Sequence, residues 1–215
     1  MCRFRTGAAA SRKGPAVKLA VSRQLYAYWN ELRRARSAPE RNDVEPGAIR
    51  GILADTFIVE FDALRLFPMR VVGTRTNALF LKELRGTPFL ELWREQDRDE
   101  IRAILANVAD EAQPFLIGAA GRPRGFAPVD LEILLLPLRH HGDTHARVLG
   151  CCAPNASPHW LGLIGVESLA LLTLRALDPR ERVDAPLPGF AGPQDFGRAS
   201  RPSRRGHLFH YSPSR

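Results

Sequence analysis

The residue types best suited to chemistry gather late in the apolar middle of the chain: His140, His141, His145, Cys151 and Cys152. Imidazole and thiolate suit zinc or copper, and a hairpin would bring its two arms together. The spacing fits no zinc motif, however. Neighbouring residues on a strand point to opposite faces, so Cys151 and Cys152 do not easily converge on one ion. Gly142-Asp143 reads as the turn of a polar hairpin instead, and no metal site is expected. Nucleophilic and phosphate chemistry have less to stand on. The chain has no Gly-x-Ser-x-Gly, Walker A or Gly-x-Gly-x-x-Gly pattern. Ser168 has no base within its segment, and Gly162-Leu-Ile-Gly165 is too apolar to cradle phosphate. Asp97, Asp99 and Glu100 read as charges at the start of a helix. No catalytic residue is assigned and no enzymatic activity is expected. A metal-dependent enzyme built on the His140–Cys152 hairpin is kept as the third reading.

The elements that would position such residues must come from the middle of the chain. Of 215 residues, 31 are basic and 23 acidic, a net charge of +8, with a pI near 10.2. Residues 1–18 carry Arg3, Arg5, Arg12, Lys13 and Lys18 and no acid, and residues 178–215 carry seven Arg against Asp178, Glu181, Asp184 and Asp195. Residues 19–177 are therefore charge-balanced. Residues 1–17 lack apolar periodicity and read as a disordered basic arm, while 178–215 read as a disordered Pro/Arg-rich tail. The tails support a second reading, a nucleic-acid or anionic-surface binder, with Phe190, Phe196, Phe209 and Tyr211 available for stacking. The balanced middle has no recognition-helix signature, which argues against nucleic acid. An overall hydrophobic content of 45% supplies a core. The N-terminus lacks the unbroken apolar stretch of a secretory signal. The longest apolar stretch, Trp160–Leu174, is interrupted by Glu167 and falls short of the roughly 20 residues a spanning helix needs. Three cysteines make no disulfide framework. A cytoplasmic protein with reduced thiols is expected.

One domain over 18–177 accommodates the pattern. Val21, Leu25, Tyr28, Leu32 and Ala35 recur at helical spacing, with Pro39 closing the segment. A short helix follows Pro46. Thr56–Asp62 alternates as a half-buried strand, and Leu66–Gly73 gives a second, in which Pro68 marks an edge or a bulge. Thr74 caps a helix reaching Leu84, and Gly86 fits its end. Asp97 with Glu100 suggests a capping box for a helix bearing Ile101, Ile104, Leu105, Val108 and Ala112 on one face. Strands over 115–120, 129–139 and 146–153 follow. The run Leu134–Leu136 is apolar on both faces, so that strand needs cover on both. Trp160–Leu174 is expected to be a helix after the sheet, or a dimer surface. The fold class is α+β: a five-stranded antiparallel sheet with helices on its faces and a flanking helix at each end.

That order, with its local text, resembles the PAS domain superfamily. Asn77-Ala78-Leu79-Phe80, the segment Glu83–Leu92 and Asp97-Arg98 are similar to the PAS helical region. Tyr28–Arg33, Gly73-Thr74, Leu92-Trp93 and Glu132-x-Leu-Leu-Leu-Pro137-Leu138 resemble the small stand-alone PAS proteins of alphaproteobacteria. The resemblance covers roughly 19–175. It implies a sensory or regulatory protein acting by ligand or partner binding in signal transduction, with no output domain of its own. A partner signalling protein is expected, and a homodimer through 21–35 or 160–174 fits as well. The resemblance places a ligand between sheet and helices, lined by Thr76, Leu79, Phe80, Phe89, Trp93, Ile104, Phe115 and Leu134; the same residues would also serve simply as core. PAS flavin photochemistry needs a Cys, and PAS haem binding an axial His, in the helical middle. Residues 74–113 contain neither. No cofactor is expected, though a haem held by another ligand and an unknown small molecule stay open.

Overall fold

The computed structural model describes residues 17–62, 66–140 and 144–178. The basic arm and the tail expected at the two ends lie outside the described residues, apart from Val17 and Asp178 at their borders, and so does the tail-driven reading built on them.

Thr56–Glu60 (β1), Met69–Val72 (β2), Phe115–Pro123 (β3), Val129–His140 (β4), Thr144–Pro154 (β5) and Val166–Ala176 (β6) form one antiparallel sheet. Their spatial order is β2-β1-β5-β4-β3-β6. The helices are Ala20–Arg33 (α1), Thr74–Phe80 (α2) and Arg98–Asp110 (α3), with 3-10 turns at Arg41–Asp43, Pro46–Ile49, Leu53–Asp55, Phe89–Leu92 and Glu95–Asp97. The expected sequence of two strands, helices and three strands is present. β2 is an edge strand, and the register of its pairing with β1 shifts between Ile58 and Val59.

Among the described residues the sheet has six strands rather than five, and no helix follows it. Val166–Ala176 is a strand paired to β3, with Ala119 opposite Leu171 and Gly121 opposite Leu169. A short apolar run does not distinguish helix from strand by its own pattern. Here the free edge of β3 decides, since its peptide groups need partners. The outer edge of β6 is fastened in turn: Arg94 N–H donates to Leu169 O at 3.0 Å, and the Asp97 carboxylate accepts Leu171 N–H at 3.1 Å. Asp97 therefore does not act as the expected cap of α3, which has no side-chain cap hydrogen bond.

Both faces of the sheet are covered, which is why β4 is apolar on both sides. Leu131, Ile133 and Leu135 join α2, α3 and the turns between them in one core layer. Leu134, Leu136 and Leu138 join α1 and the 3-10 turns after it in the other. α1 buries Ser22, Leu25, Tyr26 and Trp29. The expected stripe is off by part of a turn: Val21, Tyr28 and Leu32 only flank that layer, and Ala35 lies beyond the helix end and is exposed. A strict 4-3 alternation follows a coiled-coil seam, whereas a single helix on a sheet buries a broader i, i+3, i+4, i+7 face. Trp29 Nε1–H donates to Pro137 O at 2.8 Å and ties α1 to β4. α2 ends at Phe80 rather than Leu84, because Leu81 turns left-handed at φ 48°.

Candidate functional site

The start of α1 rests on a buried acid. Leu19, its N-cap residue, has no side-chain oxygen to offer. Glu132, in the first third of β4 and only 6% exposed, supplies both of its own. Oε1 accepts Leu19 N–H and Oε2 accepts Lys18 N–H, each at 3.0 Å. A carboxylate is costly to bury unless hydrogen-bonded, and helix N-terminal amides are natural donors for it.

On the other face, Phe57 stacks on Phe89 with centroids 5.5 Å apart, and Phe89 meets Trp93 edge-on at 6.0 Å. Gly150 lies beneath Phe57, where any Cβ would collide with the ring. Leu79, Ile104 and Phe115 are buried in the same layer, and half-buried Phe80 packs against it. Thr76 Oγ1–H donates to Asp55 O at 3.2 Å. Seven of the eight expected pocket residues thus sit on this side. Leu134 does not: it lies under α1, because Ile133 takes the inward position and successive residues of β4 alternate. Buried Trp93 Nε1–H has no hydrogen-bond partner among the described residues.

A cleft of about 520 Å³ opens at the border of this layer. Its walls come from Val21 of α1, Arg75, Ala78 and Leu79 of α2, Cys152–Pro154 of β5, Asp55, and Ser157, Leu161 and Gly162 after β5. Asp55 is buried and holds the Arg75 guanidinium side-on, Nε to Oδ1 at 2.7 Å and Nη2 to Oδ2 at 2.5 Å. That carboxylate raises the already high pKa of Arg75. Sequence reading missed the cleft. Asp55 and Arg75 stand twenty positions apart, with no motif joining them; Leu161 falls inside the expected Trp160–Leu174 helix, and Ser157 lies just before it with no signal of its own.

The cysteines divide between the layers, as strand alternation requires. Cys151 lies under α1 and donates its S–H to the Ser22 hydroxyl at 3.7 Å, whereas Cys152 packs on the helix side and lines the cleft. Burial pushes the Cys151 thiol up to about 12 and the Cys152 thiol upward too. Neither is poised as a nucleophile. No group of three or more His, Cys, Asp or Glu able to hold a metal occurs among the described residues. No helix among them is long and apolar enough to cross a membrane.

The PAS domain family matches residues 17–153. No curated protein matches the chain. Among solved structures, the Rhodobacter sphaeroides LOV protein is similar, with 14% identity and a TM-score of 0.40 over 48% of this chain and 60% of that one. A point variant of RsLOV gives the same identity and TM-score over 50% and 63%. The chain spans about three-fifths of the length of these structures.

Proposed function

Because the chain belongs to the PAS domain family, whose members serve as sensory and regulatory modules, we propose that it acts by binding: a small molecule enters the cleft at Arg75 and Leu79, and α1 passes its presence to a partner protein. One observation carries this reading. The cleft is walled by residues of both α2 and α1, the helices of the two opposite layers. An occupant touching Leu79 and Val21 together senses and alters both sides of the sheet. Its volume falls in the roughly 300–1,000 Å³ range of ligand pockets. β5 adds a second route, since Cys152 lines the cleft and its neighbour Cys151 supports Ser22 of α1. The reading asks for neither flavin nor haem, and it assigns no reaction to the chain.

Native mass spectrometry of freshly purified full-length protein, with hydrogen exchange of α1, tests it. A bound mass that is lost in Ala78→Trp, with changed exchange in α1, is expected. A bare polypeptide whose α1 exchange is the same in both forms would overturn it.

A further inference from the structure

The chemistry of the cleft wall narrows what it takes. We infer that the cleft binds an organic monocarboxylate with an apolar tail, and that Arg75 anchors the carboxylate. This inference rests on the cleft reading above and adds the class of ligand.

Arg75 carries five N–H donors in a planar fork. Asp55 uses one from Nε and one from Nη2, and Gly51 O lies 3.4 Å from Nη2. Nη1 has no hydrogen-bond partner among the described residues, so its two donors are free. The side chain is 59% exposed, while its Asp55 partner is only 5% exposed. A buried carboxylate thus fixes an arginine whose outer edge faces solvent at the cleft. An arginine held in place before the ligand arrives loses little freedom on binding.

The remaining wall decides the ligand's shape and sign. Each Asp55 oxygen already accepts an Arg75 N–H and the carboxylate is 5% exposed, so little of it faces a ligand cation. Ser157 adds a hydroxyl at the rim. Leu79 is 4% exposed and Cys152 6% exposed; with Leu161 they make an apolar wall. The Cys152 thiol stays protonated through burial and brings no charge. Free donors beside an apolar wall match a molecule with an anionic acceptor at one end and hydrocarbon behind it.

Calorimetric titration of the full-length protein with octanoate, octan-1-ol and octylamine tests the assignment. Octanoate is expected to bind roughly 10- to 100-fold more tightly than octan-1-ol, the scale of a charge-assisted hydrogen bond. Arg75→Gln should reduce octanoate to the level of the alcohol. The double change Asp55→Asn with Arg75→Gln should do the same without leaving a buried carboxylate unpaired. Arg75→Lys should keep part of the preference. If octan-1-ol or octylamine binds as tightly as octanoate, and Ala78→Trp blocks the binding, the cleft reading stands and the carboxylate inference fails. If none of the three binds, the carboxylate inference fails and the cleft reading stands on its own test; if a probe binds and Ala78→Trp leaves that binding unchanged, the cleft reading fails and takes this inference with it.

Discussion

Glu132 holds the entry to α1, with Oε1 accepting the N–H of the N-cap residue Leu19 at 3.0 Å across 113 positions of sequence. The second oxygen takes Lys18 N–H, so one carboxylate satisfies the amides of the N-cap residue and of the residue before it. Glu132→Gln keeps the shape but turns an amide NH2 toward one of those donors. A loss of about 1–3 kcal/mol is expected, measured by urea denaturation. Faster amide exchange confined to the first turn of α1 would locate it; an unchanged midpoint would show the cap to be dispensable.

Asp97 joins the start of α3 to the sixth strand. Its Oδ2 accepts Leu171 N–H and pairs with Arg94. In Asp97→Asn the Leu171 amide should exchange faster while amides in β1 and β5 keep their rates. The global cost should be about 1 kcal/mol. Equal acceleration across the whole sheet would mean that β6 does not open on its own.

The thiols of Cys151 and Cys152 should resist iodoacetamide at pH 8 in the folded protein and react once it is unfolded, as read by peptide mass spectrometry. The linkage has a definite sign. The folded state raises the Cys151 value from 9.0 to about 12, so it favours the protonated thiol. That contribution is complete below the unfolded value and is lost as pH climbs through the interval. Stability should fall from about pH 9 toward pH 12, and less steeply in Cys151→Ala.

Two glycines should respond unequally to a methyl group. A Cβ at Gly150 meets the Phe57 ring and lies 2.8 Å from the Leu134 carbonyl oxygen. Gly150→Ala should cost about 1–3 kcal/mol, the scale of overpacking. At Gly47 a Cβ meets nothing within 4 Å, so Gly47→Ala should be within about 0.5 kcal/mol of the parent, as for most surface changes. Thermal melts of the two side by side decide it.

What could be read in advance follows from range. The two-sided apolarity of Leu134–Leu136 and the opposed Cys151 and Cys152 are properties of a few adjacent residues, and the strands carry them as read; Thr56–Glu60, read as half-buried, is a strand buried on both faces, because the α1 layer covers Ile58 while Phe57 and Val59 face the other core. β6 was not legible because its identity depends on the edge of β3, some fifty residues earlier in the chain. The acid that caps α1 is equally far from view: no local signal tells that Glu132 serves Leu19 rather than a salt bridge. The Asp55–Arg75 pair exists only because the 3-10 turn before β1 and the first turn of α2 meet in space. The buried face of α1 lay in between, since its periodicity was visible but its phase was set by the sheet.

The position of β5 in the sheet also sets a timetable. It lies between β1 and β4, and Thr56 pairs with Cys151. During synthesis β1, β2, α2 and α3 all emerge before the strand that unites them, and their apolar sides wait for it. Contacts so distant in sequence carry a large loop-closure cost before any of them is rewarded, which slows folding. The partly made chain is the stage most in need of protection from aggregation.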